Sequence, residues 1–360
     1  MTTTERPIDA KTTPEGRGGT PPILEARNVS KTFPVRTGPF SKAYVSAVDG
    51  LSFSVKRGTT LGIVGESGCG KSTAARLILG LLDLDAGDVL FEGRNITDVR
   101  ESPRTPDEDR ELRRNMQMVF QDPHSALNPR ASIGEIISFP MKVHGMTKHE
   151  RRERTQWLLE QVGLHGNHAS YYPHQMSGGQ RQRVNIARAL ALSPKLVVCD
   201  EAVSALDKSV QAQVLNLLKD LQSELELTYL FISHDLNVVQ YMSDSVLVMY
   251  LGQAVEITSS EKLYANPLHP YTRALLASIP KLPGDEAALE GIPPLEGEIP
   301  SPLNPPSGCR FRTRCPYAMD ICAEKRPEMV EAESGHRVAC HLYTEGSVQP
   351  IKELPVLASA

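Results

Sequence analysis

Long apolar runs are missing from this sequence of 360 residues. Nowhere do about 18 apolar residues follow one another, so no segment is expected to cross a bilayer as a helix. Net charge is nearly as scarce: 39 basic against 43 acidic residues leave −4, which argues against a general nucleic-acid binder. Residues 1–22 are rich in Thr, Pro, Gly and charge and lack the apolar stretch that a signal peptide needs, so 1–21 reads as a disordered tail. The chain is therefore expected in the cytoplasm, reaching any membrane through partners. Cysteine is limited to six residues, expected in a reducing compartment as thiols or metal ligands rather than disulfides. No internal repeat is visible. The length fits one large domain plus an extension.

What is present is patterned. Residues 23–55 alternate as strands broken by turns, which predicts an antiparallel sheet. Thr60-Leu61-Gly62-Ile63-Val64 reads as a buried strand, 73–79 as a helix and Asp88-Val89-Leu90-Phe91 as a further strand. The highly charged stretch 101–114 is expected to be an exposed loop. Residues 122–172 look mainly helical, with 148–162 a surface amphipath. Helix and strand then alternate: helix 178–192, strand 196–199, helix 210–225, strand 228–232. That alternation predicts a parallel α/β sheet.

Between the strand at 60–64 and the helix after it stands Gly65-Glu66-Ser67-Gly68-Cys69-Gly70-Lys71-Ser72, a G-x4-G-K-S phosphate loop. Its glycines let the backbone approach phosphate, and successive N–H groups at a helix start form an anion site. Lys71 is placed to reach the β- and γ-phosphates and the Ser72 hydroxyl to bind Mg²⁺, so ATP with Mg²⁺ is the expected ligand. Leu196-Val197-Val198-Cys199 is a continuous apolar run, as in a strand buried on both faces. Ligands of open α/β sheets sit at the carboxyl ends of such strands. Asp200 is thus expected at Mg²⁺, and Glu201 at the γ-phosphate, polarising an attacking water. Ser177-Gly178-Gly179-Gln180 offers a capped helix start with outward N–H groups, a second anion site. Cys199 reads as a small buried hydrophobe, and Cys69, at a helix N-terminus, as a thiol of lowered pKa.

The phosphate loop, Ser177-Gly178-Gly179-Gln180 and the strand ending in Asp200-Glu201, in this order and spacing, resemble the ATPase subunits of ABC transporters over residues 22–258. The resemblance implies a P-loop NTPase fold of the α/β class. An antiparallel β subdomain and a helical subdomain at about 122–185 accompany it. It also implies a catalytic set of Lys71, Gln121, Glu201 and His234, with Ser72, Gln121 and Asp200 at Mg²⁺. ATP would contact Phe33 through its adenine and Gly65, Glu66, Ser67, Gly68, Cys69, Gly70, Lys71, Ser72 and Thr73 through its phosphates. Ser177, Gly178, Gly179, Gln180 and Asp207 would act across a dimer that sandwiches two ATP molecules. Met176 stands where Leu is usual, a change that conserves volume.

Beyond Ser259 the texture changes: 12 of the 27 prolines fall between Ser259 and Thr344, and helical periodicity is lost. This region is expected to be irregular, separately cored and stabilised by a metal cross-link. Cys309, Cys315, Cys322 and Cys340 lie in it, and none is spaced as the C-x2-C of structural zinc. Pro267-Leu268-His269-Pro270-Tyr271-Thr272-Arg273 and these cysteines resemble the C-terminal region (259–345) of oligopeptide and dipeptide importer ATPases, with a tail at 346–360. Gly68-Cys69-Gly70 and Asp200-Glu201-Ala202-Val203 are similar to the second ATPase of the pair that such importers carry. The resemblance implies a peptide-import ATPase, peripheral on the cytoplasmic membrane face. Its partners would be a homologous ATPase, two membrane-spanning permease subunits and, indirectly, an extracytoplasmic substrate-binding protein. A nickel or sugar importer has the same architecture, and a soluble ABC ATPase acting on ribosomes or DNA is the alternative from another class. For the four cysteines the resemblance implies a [4Fe–4S] cluster, its charge offset by Arg310, Arg312 and Arg314. Zinc (with His336 or His341 substituting) and free thiols are the alternatives.

Overall fold

The computed structural model describes residues 21–36, 38, 41–97, 104–279 and 297–344; apart from Pro21, the expected tails at 1–21 and 346–360 lie outside them. Strands β1 (Leu24–Arg36) and β2 (Lys42–Val55) pair antiparallel, and β4 (Ala86–Phe91) and β5 (Arg94–Asn95) complete a four-stranded sheet in the order β2-β1-β4-β5. Strands β3 (Thr60–Val64), β6 (Met116–Val119), β7 (Leu196–Asp200), β8 (Thr228–Ile232) and β9 (Ser245–Tyr250) form the parallel centre of a second sheet. Three antiparallel strands extend its edge: β10 (Gln253–Ser259), β11 (Val330–Glu333) and β12 (His336–Val338). The order is β11-β12-β10-β9-β3-β8-β7-β6. Every residue of β3, β7 and β8 is buried, as their largely apolar sequences require once both faces are covered, with Thr60, Thr228 and Asp200 the polar residues at their ends.

One face carries the antiparallel sheet and α1 (Lys71–Ile78), with Leu24, Val48, Leu77 and Val89 meeting Ile63, Val198 and Ile232 in one core. The other carries α6 (Gly178–Ala189), α7 (Lys208–Leu225) and α8 (Leu236–Met242). The short α3 (Pro123–Ala126), α4 (Ile133–Val143) and α5 (Lys148–Gln161) continue that layer, with α4 and α5 each started by a capping box, Ser132/Glu135 and Thr147/Glu150.

Two expectations are corrected. The stretch 101–114 is not simply a loop: from Pro106 to Asn115 it is helix α2, with residues 101–103 outside the described set. Its causes are local. Thr105 and Glu108 form a capping box, Pro106 opens the first turn, Asp107–Asp109 stand at the positive end and Arg113 and Arg114 at the negative end. The region after Ser259 is likewise neither irregular throughout nor separately cored. It forms α9 (Ser260–Ala265), α10 (Pro270–Ala277) and α11 (Ile321–Glu324), and β12 pairs with β10. Phe311 and Tyr271 enter the main core beside Tyr250, with ring centroids 4.7–5.5 Å apart. A small cluster around Leu268, Val338, Cys340 and Leu342 is what remains of a core peculiar to this region.

Candidate functional site: a phosphate loop at the ends of parallel strands

The loop between β3 and α1 is held from outside by backbone. Gly70 takes φ 105°, and a Cβ there would stand 2.1 Å from the carbonyl oxygen of Ala47. As N-cap of α1 it has no side chain to cover the first turn, whose amides border a cavity of about 300 Å³. Lys71 is buried and donates to the carbonyls of Gly65 (2.8 Å) and Glu66 (3.0 Å). Ser67, Gly68, Ser72 and Thr73 line the same cavity.

Strands β8, β7 and β6 are consecutive neighbours in the sheet, so their carboxyl ends deliver three side chains to one place. Glu201, following β7, accepts from Gln121 Nε2, following β6, at 2.8 Å. His234, following β8, lies 3.3 Å away through Nδ1. Glu201 adopts φ 47°, a left-handed conformation, and its N–H donates to the Ile232 carbonyl at 2.9 Å. The chain thus turns sharply after Asp200 and sends the two carboxylates different ways. Asp200 is buried and accepts from Ser72 Oγ at 2.9 Å. Its pKa is raised, first by burial and then by the charge of Glu201, against the opposing hydrogen bond from Ser72. A divalent cation between Ser72 and Asp200 would reverse that balance.

Ser177 caps α6, accepting from the Gln180 N–H (3.2 Å) while Gln180 Oε1 accepts from the Ser177 N–H (2.9 Å). A Cβ on Gly179 would meet Val210 Cγ1 at 2.4 Å, so glycine sets how closely α6 approaches α7. Asp207 caps α7 through the Val210 N–H at 3.0 Å. Ser177–Gln180 and Asp207 are therefore neighbours, but neither borders the phosphate cavity within one chain. Phe33 is also off it, on β1 opposite Val45, which lines it. Sequence reasoning missed Asn185, fully buried on α6, whose Nδ2 donates to the Phe120 carbonyl at 3.1 Å and anchors the Gln121 segment. A polar residue amid the apolar positions of α6 was the available signal.

The Cys69 pKa is raised, not lowered: burial outweighs the nearby Lys71. Cys199 is buried as expected, its pKa pushed up to about 12. Of the C-terminal cysteines, Cys322 and Cys340 are buried and Cys309 and Cys315 half-buried, all as free thiols. The Cys309 N–H donates to the Cys322 carbonyl at 2.8 Å, and Cys340 interacts electrostatically with the other three. Burial pushes Cys315 and Cys340 up to about 12, while the N–H groups of Tyr317 and Leu342 bond to their sulfurs. Among the described residues, however, no group of three or more His, Cys, Asp or Glu side chains is arranged to hold a metal ion. His336 Nε2 is taken by Glu256 (2.7 Å) and His341 Nε2 by the Lys325 carbonyl (2.9 Å), so the zinc alternative gains no support. The arginines also depart from expectation: Arg310 pairs with Asp49 and Arg314 with Glu66, leaving Arg312 as the one that acts on Cys309.

A phosphate loop at the head of a parallel sheet, strand-end carboxylates beside it and a helical layer opening on Ser-Gly-Gly-Gln define an ATPase of the ABC type. Comparison with known proteins agrees. Residues 48–204 match the ABC transporter family, and 255–322 match the oligopeptide/dipeptide transporter C-terminal region. The oligopeptide transport ATP-binding protein AppF of Bacillus subtilis is 54% identical over 325 residues, 89% of this chain and 98% of that protein. The corresponding OppF of Escherichia coli is 52% identical over 298 residues, 82% and 87% of the two chains. Among solved structures, the dimeric MJ0796 cassette bound to ADP and Pi aligns with a TM-score of 0.57 at 29% identity, covering 66% of this chain and 99% of that one. The chain belongs to the ABC transporter ATP-binding subunits, in the oligopeptide/dipeptide group.

Proposed function

We propose that this chain powers import of di- or oligopeptides, paired with a homologous ATPase on two membrane-spanning permease subunits that a substrate-binding protein outside the cytoplasm supplies. The convergence of Gln121, Glu201 and His234 beside Ser72 and Asp200 carries the hydrolytic half of this reading. Lys71 and the loop from Gly65 to Thr73 hold the phosphates, and Ser72, Asp200 and Gln121 hold Mg²⁺. Glu201, braced by Gln121, orients the water, and His234 faces the γ-phosphate. Phe33 stacks on adenine. Ser177, Gly178, Gly179, Gln180 and Asp207, set away from their own chain's cavity, serve the ATP of the partner. Among the described residues no helix is long and apolar enough to cross a membrane. That fits a peripheral subunit on the cytoplasmic face, with its ATPase domain at 22–258 and its C-terminal domain at 259–345.

Peptide import rests on the family and on the C-terminal match. Vesicles reconstituted with the full transporter and its binding protein should accumulate a radiolabelled peptide only with internal ATP. Accumulation of Ni²⁺ or a sugar in place of peptides would overturn the substrate.

Cys309, Cys315, Cys322 and Cys340 are the proposed holders of a [4Fe–4S] cluster. Four mutually interacting thiols, two of them buried, with N–H donors on the sulfurs of Cys309, Cys315 and Cys340, support it, since such donors stabilise cluster thiolates. When bound, the cluster would cross-link the 309–322 segment to Cys340. Anaerobically purified protein should be brown, with about four irons and four sulfides per chain. Colourless protein without iron would overturn it.

A further inference from the structure

Every polar group of Glu66, the second residue of the phosphate loop, is taken, and two of its partners come from the C-terminal region. Its N–H donates to the Tyr271 hydroxyl at 2.9 Å. Its carbonyl accepts from Lys71 at 3.0 Å and from the Cys69 N–H at 3.3 Å. Its carboxylate accepts both arms of the Arg314 guanidinium, at 2.9 and 3.2 Å. The Arg314 side chain is 5% exposed, so the ion pair is largely shielded from water. Tyr271 is fully buried against Tyr250 and Phe311, which fixes where its hydroxyl sits.

A carboxylate in a loop that binds polyphosphate is an electrostatic liability, because like charges in a poorly solvated site repel. A bidentate guanidinium cancels that charge and holds the loop in one geometry. We propose that Arg314, with Tyr271 beside it, is a positioning residue for the phosphate loop. The C-terminal region supplies the countercharge that lets Glu66 stand next to nucleotide phosphates, and so it sets the affinity for ATP. This rests on the loop being the ATP site. Gln121, Glu201 and His234 approach from other strand ends, so the effect falls on binding rather than turnover.

The test is titration of the full chain with Mg·ATP at low and high salt, with KM and kcat measured alongside. Arg314→Ala should raise Kd and KM about tenfold at low salt with kcat little changed, and the penalty should shrink as salt screens the exposed charge. Arg314→Lys should retain most of the affinity. Adding Glu66→Gln to Arg314→Ala should bring Kd back to within about threefold of the parent, because the uncompensated charge is gone. Glu66→Gln alone should bind ATP more tightly, which keeps the idea testable if Arg314→Ala fails to fold. Unchanged affinity in Arg314→Ala, or a double variant as weak as the single one, would overturn the proposal. Full ATP affinity in Lys71→Ala would instead overturn the assignment of the loop itself.

Discussion

Glu201 and Asp200 are adjacent carboxylates that the left-handed conformation of Glu201 turns toward different partners, Gln121 and Ser72. Replacing Glu201 by Gln keeps its size and its contact with Gln121 but removes the carboxylate proposed to orient water. ATP should still bind, turnover should fall by roughly 10²–10⁴, and a nucleotide-bound dimer should persist on gel filtration. Near-normal turnover would reassign the base. Cys69 is as informative in a negative sense. Burial keeps it a thiol despite Lys71, so iodoacetamide at neutral pH should label it slowly in native protein and quickly after denaturation. Fast native labelling would show that the loop opens.

At the scale of elements, helix α2 exists because of its ends. No residue of it is buried, so packing contributes little. Thr105→Ala should cost the helix about 1 kcal/mol, read as faster amide hydrogen exchange over the first turn. Helix α10 depends on His269, whose Nδ1 accepts the Tyr271 N–H at 3.0 Å. His269 is buried and its pKa is lowered to about 4, first by burial, with Glu256 opposing. The unfolded chain takes up that proton near pH 6.5, so between about 6.5 and 4 it binds more protons than the native state. Stability should therefore fall as pH drops through that window, by up to about 3 kcal/mol for this group. His269→Asn keeps a capping acceptor and cannot titrate, so its stability should vary less with pH there, as thermal melts from pH 7 to 4 would reveal.

On the scale of the molecule, the C-terminal region is a brace rather than an appendage. Strand β12 covers the edge of β10, Phe311 seals Tyr250, and Asp49 of the antiparallel sheet is clamped by Arg310 and Arg326. Ending the chain at Ser259 would expose a sheet edge and several core rings, conditions that favour aggregation. The truncated protein should melt well below the full chain and bind ATP more weakly. A soluble fragment with full affinity would mean that the ATPase domain needs no brace.

Much of this was legible in residue order alone, because phosphate chemistry dictates a local motif and sheet burial dictates unbroken apolar strands. The phosphate loop, the strands at Thr60–Val64 and Thr228–Ile232, and the helix opening at Ser177 follow from short-range pattern, and the structure has them where pattern puts them. Helix α2 escaped because its signal lay in capping residues rather than apolar period. The pairing of Arg314 with Glu66 joins residues 248 apart, and the Cys69 pKa depends on what covers it. Such facts arise only when distant segments exclude water together. Hence chemistry confined to one stretch was set by the sequence, whereas the burial, charge pairing and bracing of the site were decided by the tertiary structure.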